Sequence, residues 1–174
     1  ILSELLADAE GNRIIRYSEH VVGAGADFAR EACKLHLEGI ISKRRDLPYR
    51  AGRHGEWVKT KCVLRQELVI GGFTDPEGSR VGIGALLAGY YEGDRLVFSG
   101  KVGTGFTQKI ALELRRTLER IEQRTCPFDP PPSGALSRIA HWVKPQLVAE
   151  VVFTEWTGDG KIRHPSFQGL RADK

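Results

Sequence analysis

Two lysines that lie two residues apart are the clearest sign of chemistry in this sequence. They belong to the segment Trp57-Val58-Lys59-Thr60-Lys61, whose alternation predicts a β-strand. In a strand, Trp57, Lys59 and Lys61 share one face, and the two lysines start roughly 7 Å apart. Both ammonium groups can then converge on one phosphate chain. The alternative is an edge strand that its lysines protect from aggregation.

A single carboxylate precedes this strand, at the end of a predicted helix. Glu38 is followed by Gly39, which removes a side chain that would block the close approach of a ligand. A carboxylate near two phosphate-binding lysines is what a hard divalent cation needs to bridge protein and phosphate. The alternative is a surface glutamate followed by a turn glycine.

The end of the chain carries a third group of charges. Arg171 and Asp173 would share one face of a strand, with Lys174 beside them, and such a cluster suits anionic oxygens. The usual explanation of such a stretch is a frayed basic terminus. The apolar residues Phe167 and Leu170 favour a terminus that docks on the protein.

Positive charge is concentrated in two segments. The net charge of the 174 residues is only +4, yet residues 43–61 hold seven Lys/Arg against two acids, and residues 161–174 hold four against one. Concentrated charge focuses a field on phosphate, so both segments predict anion sites. The alternative is a solvated basic face.

Composition predicts a globular protein of one to one-and-a-half domains. It is 41% apolar and 28% charged. We expect neither a membrane span nor a signal peptide. Three widely spaced cysteines predict no disulfide framework and suit a reducing cytoplasm. A zinc site is disfavoured, because Cys33-x-x-His36 is followed by no second pair with ligand spacing.

The elements that position these residues fall into two parts. In the first part, patterning predicts extended structure at 14–22, a helix at 27–37, and strands at 39–43 and 56–64. In the second part it predicts strands at 67–74, 84–91, 96–102, 146–157 and 166–171, with a helix at 107–124. Three strands, a helix and two more strands is the order of a five-stranded oligonucleotide-binding (OB) barrel. The fold class is α+β.

Three motifs in this order resemble motifs IV, V and VI of the covalent nucleotidyltransferases. They are E-G-I-I-S-K (38–43), W-V-K-T-K (57–61) and R-x-D-K (171–174). Further detail comes from I-R-Y-S-E-H (15–20), P-Y-R-A-G-R (48–53), V-G-T-G-F (102–106), F-T-E-W-T (153–157) and the last twelve residues. With this detail, the whole chain is most similar to the ligase module of bacterial ligase D, an ATP-dependent DNA ligase of non-homologous end joining.

This resemblance implies a role for each site residue. Residues 1–64 would be the later part of an adenylation domain, and residues 65–174 an OB-fold DNA-binding domain that moves about a hinge near 63–66. Glu38, Gly39, Lys59 and Lys61 would bind ATP, with Lys59 and Lys61 on the α-phosphate and Glu38 on Mg²⁺ or Mn²⁺. Arg171, Asp173 and Lys174 would orient the pyrophosphate leaving group, and Arg53, Lys101 and Thr104 would contact DNA.

The resemblance also implies partners and a location. The substrate would be nicked or broken duplex DNA, and the partners would be Ku and the polymerase and phosphoesterase domains of the same polypeptide. The enzyme would act in the bacterial cytoplasm, at the nucleoid, and not at a membrane.

One departure from the family affects activity. The superfamily forms a lysine–AMP intermediate on a K-x-D-G motif, which is absent from these 174 residues. We therefore expect the chain alone to be inactive in self-adenylation. Two alternatives remain. One is a non-catalytic OB-fold DNA-binding module that stacks bases on Tyr90, Tyr91, Phe98 and Phe106. The other is part of an RNA ligase or capping-type nucleotidyltransferase.

Overall fold

The computed structural model describes Glu4, Leu6 and residues 17–35, 37–52 and 54–171. These residues form two compact units, which divide between Cys62 and Val63. Three of the predicted site residues lie outside the described residues, namely Arg53, Asp173 and Lys174, and so do His36 and the start of the extended segment predicted at 14–22. In the part of the chain that is described, no helix is long and apolar enough to cross a membrane.

From residue 17 onward, the described part of the first unit contains one helix and a two-stranded hairpin. Helix α1 spans Gly25–Lys34, strand β1 spans Gly39–Lys43 and strand β2 spans Trp57–Lys61. The strands are antiparallel, with Gly39 opposite Lys61 and Lys43 opposite Trp57. Residues 17–22 form neither helix nor strand, because an extended segment needs a neighbouring strand to pair with, and the described residues supply none there.

The sequence-based prediction for the cysteines is wrong for one pair. Cys33, in the last turn of α1, forms a disulfide with Cys62, which directly follows β2. Their Cα atoms are 5.2 Å apart, although 29 positions separate them in the sequence. Spacing along the chain does not reveal that the hairpin returns to the helix. Cys126 is free.

The second unit contains eight described strands and two helices. The strands are β3 (Leu64–Thr74), β4 (Ala85–Glu92), β5 (Arg95–Val102), β6 (Glu122–Gln123), β7 (Ala140–Phe153), β8 (Glu155–Trp156), β9 (Ile162–Arg163) and β10 (Ser166–Leu170). The helices are α2 (Gln108–Glu119) and α3 (Ala135–Ile139). The main sheet has the order β10-β7-β3-β4-β5, with β6 paired to β7, and β8 and β9 form a separate ribbon.

The closed barrel that the element order predicts is not formed. No ladder joins the edge strands β10 and β5 within the described residues. They are linked instead through the loop after β5, where the Phe167 amide donates to the Thr104 carbonyl oxygen at 2.9 Å. The fold class is otherwise as predicted: mixed α and β, with an antiparallel main sheet.

The predicted helix at 107–124 is shorter than expected at its end. The Thr107 side chain caps α2 by accepting a hydrogen bond from the Ile110 amide at 3.3 Å, as its position suggests. The helix ends at Glu119, because Glu122 and Gln123 pair with β7. Tertiary pairing overrides helical periodicity there.

The core of the second unit lies between the sheet and α2. Its fully buried large side chains include Leu68, Ile70, Phe73, Leu86, Val102, Leu118, Val151 and Phe153. A smaller apolar cluster of Leu87, Leu96, Phe128 and Trp142 lies apart from this core. Burial on this scale is the main stabilising contribution to the unit.

His141 lies between two carboxylates at the rim of this unit. Its Nδ1 is 2.9 Å from Glu122 Oε1, and its Nε2 is 3.1 Å from Asp75 Oδ2. Its ring stacks on Phe73 at 4.8 Å, and Arg115 also binds Asp75. Both ring nitrogens can donate only when the imidazole is protonated. Burial by itself lowers the pKa of His141, but the hydrogen bonds with Glu122 and Asp75 outweigh it and raise the pKa above its ordinary value.

This arrangement predicts a pH-dependent contribution to stability. Because the folded-state pKa of His141 is raised, its contribution is fully present below the unfolded pKa and is lost as the pH rises through the folded-state pKa. His141→Gln should lower the free energy of unfolding by about 1 kcal/mol on the acidic side and by much less on the alkaline side. Urea denaturation of the wild type and of His141→Gln, at pH values below and above the folded-state pKa of His141, measures this difference in the free energy of unfolding. A constant difference between them would contradict the ion-pair assignment.

Candidate functional site

The β1–β2 hairpin has two unlike faces. One face carries Trp57, Lys59 and Lys61 of β2, together with Lys43, the cross-strand partner of Trp57. We call these four residues the lysine face. Helix α1 lies against the opposite face, where Cys62 bonds to Cys33. The lysine face is exposed.

Glu38 and Lys59 are in direct contact at this face. Lys59 Nζ donates to Glu38 Oε1 at 2.7 Å, and this hydrogen bond lowers the pKa of the Glu38 carboxyl. Glu38 is therefore ionised at neutral pH. The two side chains are 75% and 46% exposed, and an exposed ion pair contributes little to stability. A phosphate can replace the carboxylate on Lys59 at small cost.

Lys61 completes the pair of cations that the sequence predicts. It is exposed and lies on the same face as Lys59. It forms no ion pair within the described ranges, although its charge also lowers the pKa of Glu38. Two ammonium groups and one carboxylate thus occupy one end of the hairpin. This combination suits a phosphate chain with a bound divalent cation.

Gly39 has a structural role in addition to the one that its position suggests. An added Cβ would lie 2.9 Å from Lys61 Cα and still closer to the Thr60 carbonyl oxygen, and the φ of Gly39 is +153°. Glycine is therefore required for β1 to pair with β2. It positions Lys61 by allowing that pairing.

The sequence analysis placed Trp57 beside the lysines but missed the two side chains that contact its ring. Lys43 Nζ lies 4.3 Å from the centroid of the Trp57 ring, and the ring centroids of Tyr49 and Trp57 are 5.3 Å apart. Both rings are exposed. The antiparallel register of the two strands would have revealed the Lys43–Trp57 contact, because partners across a hairpin share a face.

Glu38 fits a divalent metal as one ligand among several. It is an ionised oxygen donor, and Mg²⁺ usually takes one or two protein carboxylates and fills its remaining positions with phosphate oxygens and water. No group of three His, Cys, Asp or Glu residues suited to a metal occurs among the residues that the structure describes. The remaining ligands would come from phosphate and water.

In the second unit, Arg171 lies beside a glutamate that the sequence analysis missed. Its guanidinium is 3.1 Å from Glu67 Oε1, and its amide donates to the Val148 carbonyl oxygen at 2.9 Å. Glu67 is in β3 and Val148 in β7. Arg171 is thus held by two central strands. No sequence pattern links positions 67 and 171, so only the fold reveals this pair.

Lys101 and Thr104 lie on and just after β5. Lys101 is exposed and makes no ion pair in the described part of the chain. Thr104 Oγ1 donates to the Pro165 carbonyl oxygen at 3.0 Å, so Thr104 also joins its loop to the start of β10. Lys101 is the freer of the two to contact a phosphate.

The four aromatic residues of the DNA-binding alternative do not form a stacking platform. Tyr90 meets Trp156 edge-on, Phe98 meets Phe128, and Phe106 packs against Phe167. These three are partly buried, whereas Tyr91 is 50% exposed. One exposed ring is too few to stack successive bases.

The larger part of the second unit matches a known protein family. Residues 79–174 match the family model described as ATP dependent DNA ligase C terminal region. The match covers more than half of the chain, and the chain therefore belongs to this family.

Relatives from several bacteria are similar over nearly the whole chain. A Pseudomonas aeruginosa protein named multifunctional non-homologous end joining protein LigD is 42% identical over 174 residues, which cover 98% of this chain and 21% of that protein. A Mycobacterium tuberculosis protein named multifunctional non-homologous end joining DNA repair protein LigD is 40% identical over 175 residues, which cover 99% and 23%. The chain thus spans about a fifth of the length of these relatives.

Solved structures agree with this assignment. The ligase domain from M. tuberculosis LigD is 38% identical, with a TM-score of 0.60 over 99% of this chain and 55% of that chain. A mycobacterial DNA ligase D complexed with ATP and MES is also 38% identical, with a TM-score of 0.61 over 99% and 55%. Lig E DNA ligase is similar in fold alone, at 21% identity and a TM-score of 0.59. These findings confirm the predicted resemblance and fold class.

The loop that carries Thr104 yields a prediction about stability. Gly105 has φ +96°, and an added Cβ would lie 2.5 Å from the Phe167 amide nitrogen and closer still to its carbonyl oxygen. Gly93 also has a positive φ, +62°, but has open space around it. Gly93→Ala should cost about 1 kcal/mol from backbone strain alone. Gly105→Ala should cost about 2 kcal/mol more, because β10 must shift. If urea denaturation shows the same loss of unfolding free energy in the two variants, the close approach of Gly105 to the Phe167 backbone is unimportant for stability.

Proposed function

We propose that this chain is part of the catalytic module of an ATP-dependent DNA ligase, in which the lysine face binds the phosphates of ATP. The observation that carries the proposal is the contact between Lys59 and Glu38, with Lys61 on the same exposed face. The family match and the relatives named LigD support it. The relatives named DNA ligase count against an RNA ligase or a capping enzyme.

The complete enzyme would seal DNA in three transfers. AMP passes from ATP to a lysine with release of pyrophosphate, then from the lysine, which is set free, to a 5′-phosphate at the break, and leaves when the 3′-hydroxyl attacks that phosphate. The K-x-D-G lysine is not among these 174 residues, so the nucleophile would come from another part of a longer protein. This chain contributes the charges that stabilise phosphate during transfer.

Lys59 and Lys61 would stabilise the negative charge that develops on the α-phosphate. Fixed cations act strongly there, because they need not reorganise during the reaction. Glu38 would move from Lys59 to Mg²⁺ or Mn²⁺, which neutralises phosphate charge when bound. The exposed geometry of the pair makes this exchange inexpensive.

The second unit would serve both ATP and DNA. Arg171, with Asp173 and Lys174, would orient the pyrophosphate leaving group, and Arg53, Lys101 and Thr104 would contact DNA. Residues 1–64 and 65–174 would act as adenylation and OB-fold parts that move about residues 63–66. The division of the structure between Cys62 and Val63 supports a hinge at the start of this segment, since residues from Leu64 onward already pair with β7.

The names of the relatives support a proposal for the repair pathway and the partners. Proteins named for non-homologous end joining match the chain over nearly its whole length. We therefore infer a role in double-strand-break repair on nicked or broken duplex DNA, together with Ku and with polymerase and phosphoesterase domains. The place of action would be the bacterial cytoplasm, at the nucleoid.

The first test concerns the two lysines in the full-length enzyme. Lys59→Ala and Lys61→Ala should each slow self-adenylation by a hundredfold or more, since loss of one donor to a developing charge costs about 3 kcal/mol. Arginine should rescue poorly, because a planar fork does not replace a compact charge. Lys34→Ala, which removes an exposed lysine of α1, is the control and should have little effect. If both lysine variants self-adenylate at the wild-type rate, the phosphate-binding role is wrong. The lysines would then only protect an edge strand from aggregation.

The second test separates ATP chemistry from DNA binding. Arg171→Ala should strongly impair self-adenylation and spare the sealing of nicked DNA that already carries 5′-AMP, because that step releases no pyrophosphate. Lys101→Ala should instead spare self-adenylation and impair the sealing step. It should weaken DNA binding and reduce the salt dependence by about one phosphate contact.

A control and a contrary outcome complete this test. Lys109→Ala changes an exposed lysine at the start of α2 and should affect neither step. If Arg171→Ala and Lys101→Ala both lose the two steps equally, the second unit acts as one rigid scaffold. The proposal of two separate roles would then be wrong.

A further inference from the structure

The Cys33–Cys62 disulfide lies directly behind the lysine face. We propose that these two cysteines are a reversible redox site, which closes by exchange with a small-molecule disulfide and orders strand β2. Neither Cys33 nor Cys62 belongs to the family motifs or has one of the catalytic roles proposed above.

The crosslink is attached to the backbone that positions the site. Cys62 directly follows Lys61, and its amide donates to the Glu38 carbonyl oxygen at 2.9 Å. Cys33 lies in the last turn of α1, five residues before Glu38 in the sequence. Closing the bond therefore restrains the end of β2 and the start of β1 together. Lys59 and Lys61 lie on the restrained strand.

Among the residues that the structure describes, little apolar surface holds α1 against the hairpin. Ala32 is the only buried residue of α1, whereas Phe28 is 45% exposed and Leu35 is 72% exposed. Apolar burial between the helix and the hairpin is therefore slight, and a covalent bond has a correspondingly large effect on order. In the second unit, with its extensive core, a crosslink would matter far less.

The site is suited to thiol–disulfide exchange. Both cysteines are partly buried, so a small molecule such as oxidised glutathione can reach them. One cysteine thiolate attacks the external disulfide, forms a mixed disulfide and releases one small thiol. The second cysteine thiolate then attacks the protein sulfur of that mixed disulfide and releases the second thiol. The protein is oxidised by two electrons, and the external disulfide is reduced to two thiols.

Cys126 offers a matched control within the same chain. It lies partly buried in the second unit, without a second cysteine. Burial raises the pKa of its thiol, which disfavours the reactive thiolate. Oxidation should therefore produce an internal bond at Cys33 and Cys62 only.

The first measurement is made on the 174-residue chain. After treatment with oxidised glutathione, peptide mapping should recover Cys33 and Cys62 in one crosslinked species, while Cys126 remains a free thiol that a maleimide labels once the chain is unfolded. Amide hydrogen exchange in β1 and β2 should be about tenfold slower in the oxidised chain than in the reduced chain. Cys33→Ser should exchange at the fast rate under both conditions, and Cys126→Ser should behave like the wild type.

Several results would overturn the proposal. Stable glutathione adducts on separate cysteines would show that the second exchange step does not occur. Equal exchange of β2 in oxidised and reduced chains would show that the crosslink orders nothing. The buried amides of the second unit report whether Cys33→Ser still folds, so a general loss of structure is distinguished from a local effect.

A consequence for catalysis rests on the proposed function. In the full-length enzyme, oxidation should change the rate of self-adenylation about tenfold in the wild type and leave Cys33→Ser unchanged. This consequence would be overturned if the oxidised and reduced enzymes self-adenylate at equal rates while their amide hydrogen exchange in β1 and β2 still differs. Absence of self-adenylation in every form of the enzyme would instead contradict the proposed ligase function.

Discussion

The pairing of β3 with β7 is the interaction on which the second unit depends. The two strands run antiparallel from the pair Leu64 and Phe153 to the pair Thr74 and Ala140. Strand β7 also pairs with β10 and β6, so one strand organises three neighbours. The core residues Leu68, Val151 and Phe153 lie on these two strands. The contacts of Arg171 follow from the same pairing, because they come from a glutamate of β3 and a carbonyl of β7.

The first unit depends on the same principle at a smaller scale. Antiparallel pairing of β1 and β2 places Lys43, Lys59 and Lys61 on one face, and the close approach at Gly39 permits that pairing. The opposite face meets α1, which little apolar surface holds in place. A hairpin with so little core relies on backbone pairing and on the covalent bond behind it.

In both units, a cation predicted to bind phosphate is paired with a glutamate on a neighbouring segment. Lys59 contacts Glu38, and Arg171 contacts Glu67. These side chains keep between 31% and 75% of their surface exposed, so neither ion pair contributes much to stability. Such pairs hold a cation in position and still release it to a stronger anion. A phosphate group carries more charge than one carboxylate and therefore competes well.

The sequence by itself determined the elements near the site, the charge of each segment and the family, because these depend on local patterning and motif order. The alternation of residues 57–61 predicted the shared face of Lys59 and Lys61, and the structure contains that strand. Only the tertiary structure decided which distant residues meet. It placed Cys33 against Cys62 and Glu67 against Arg171, left the sheet open between β10 and β5, and ended α2 early in favour of β6. Contacts between distant positions leave no periodic signal in a single sequence, because they arise from how strands pair and helices pack.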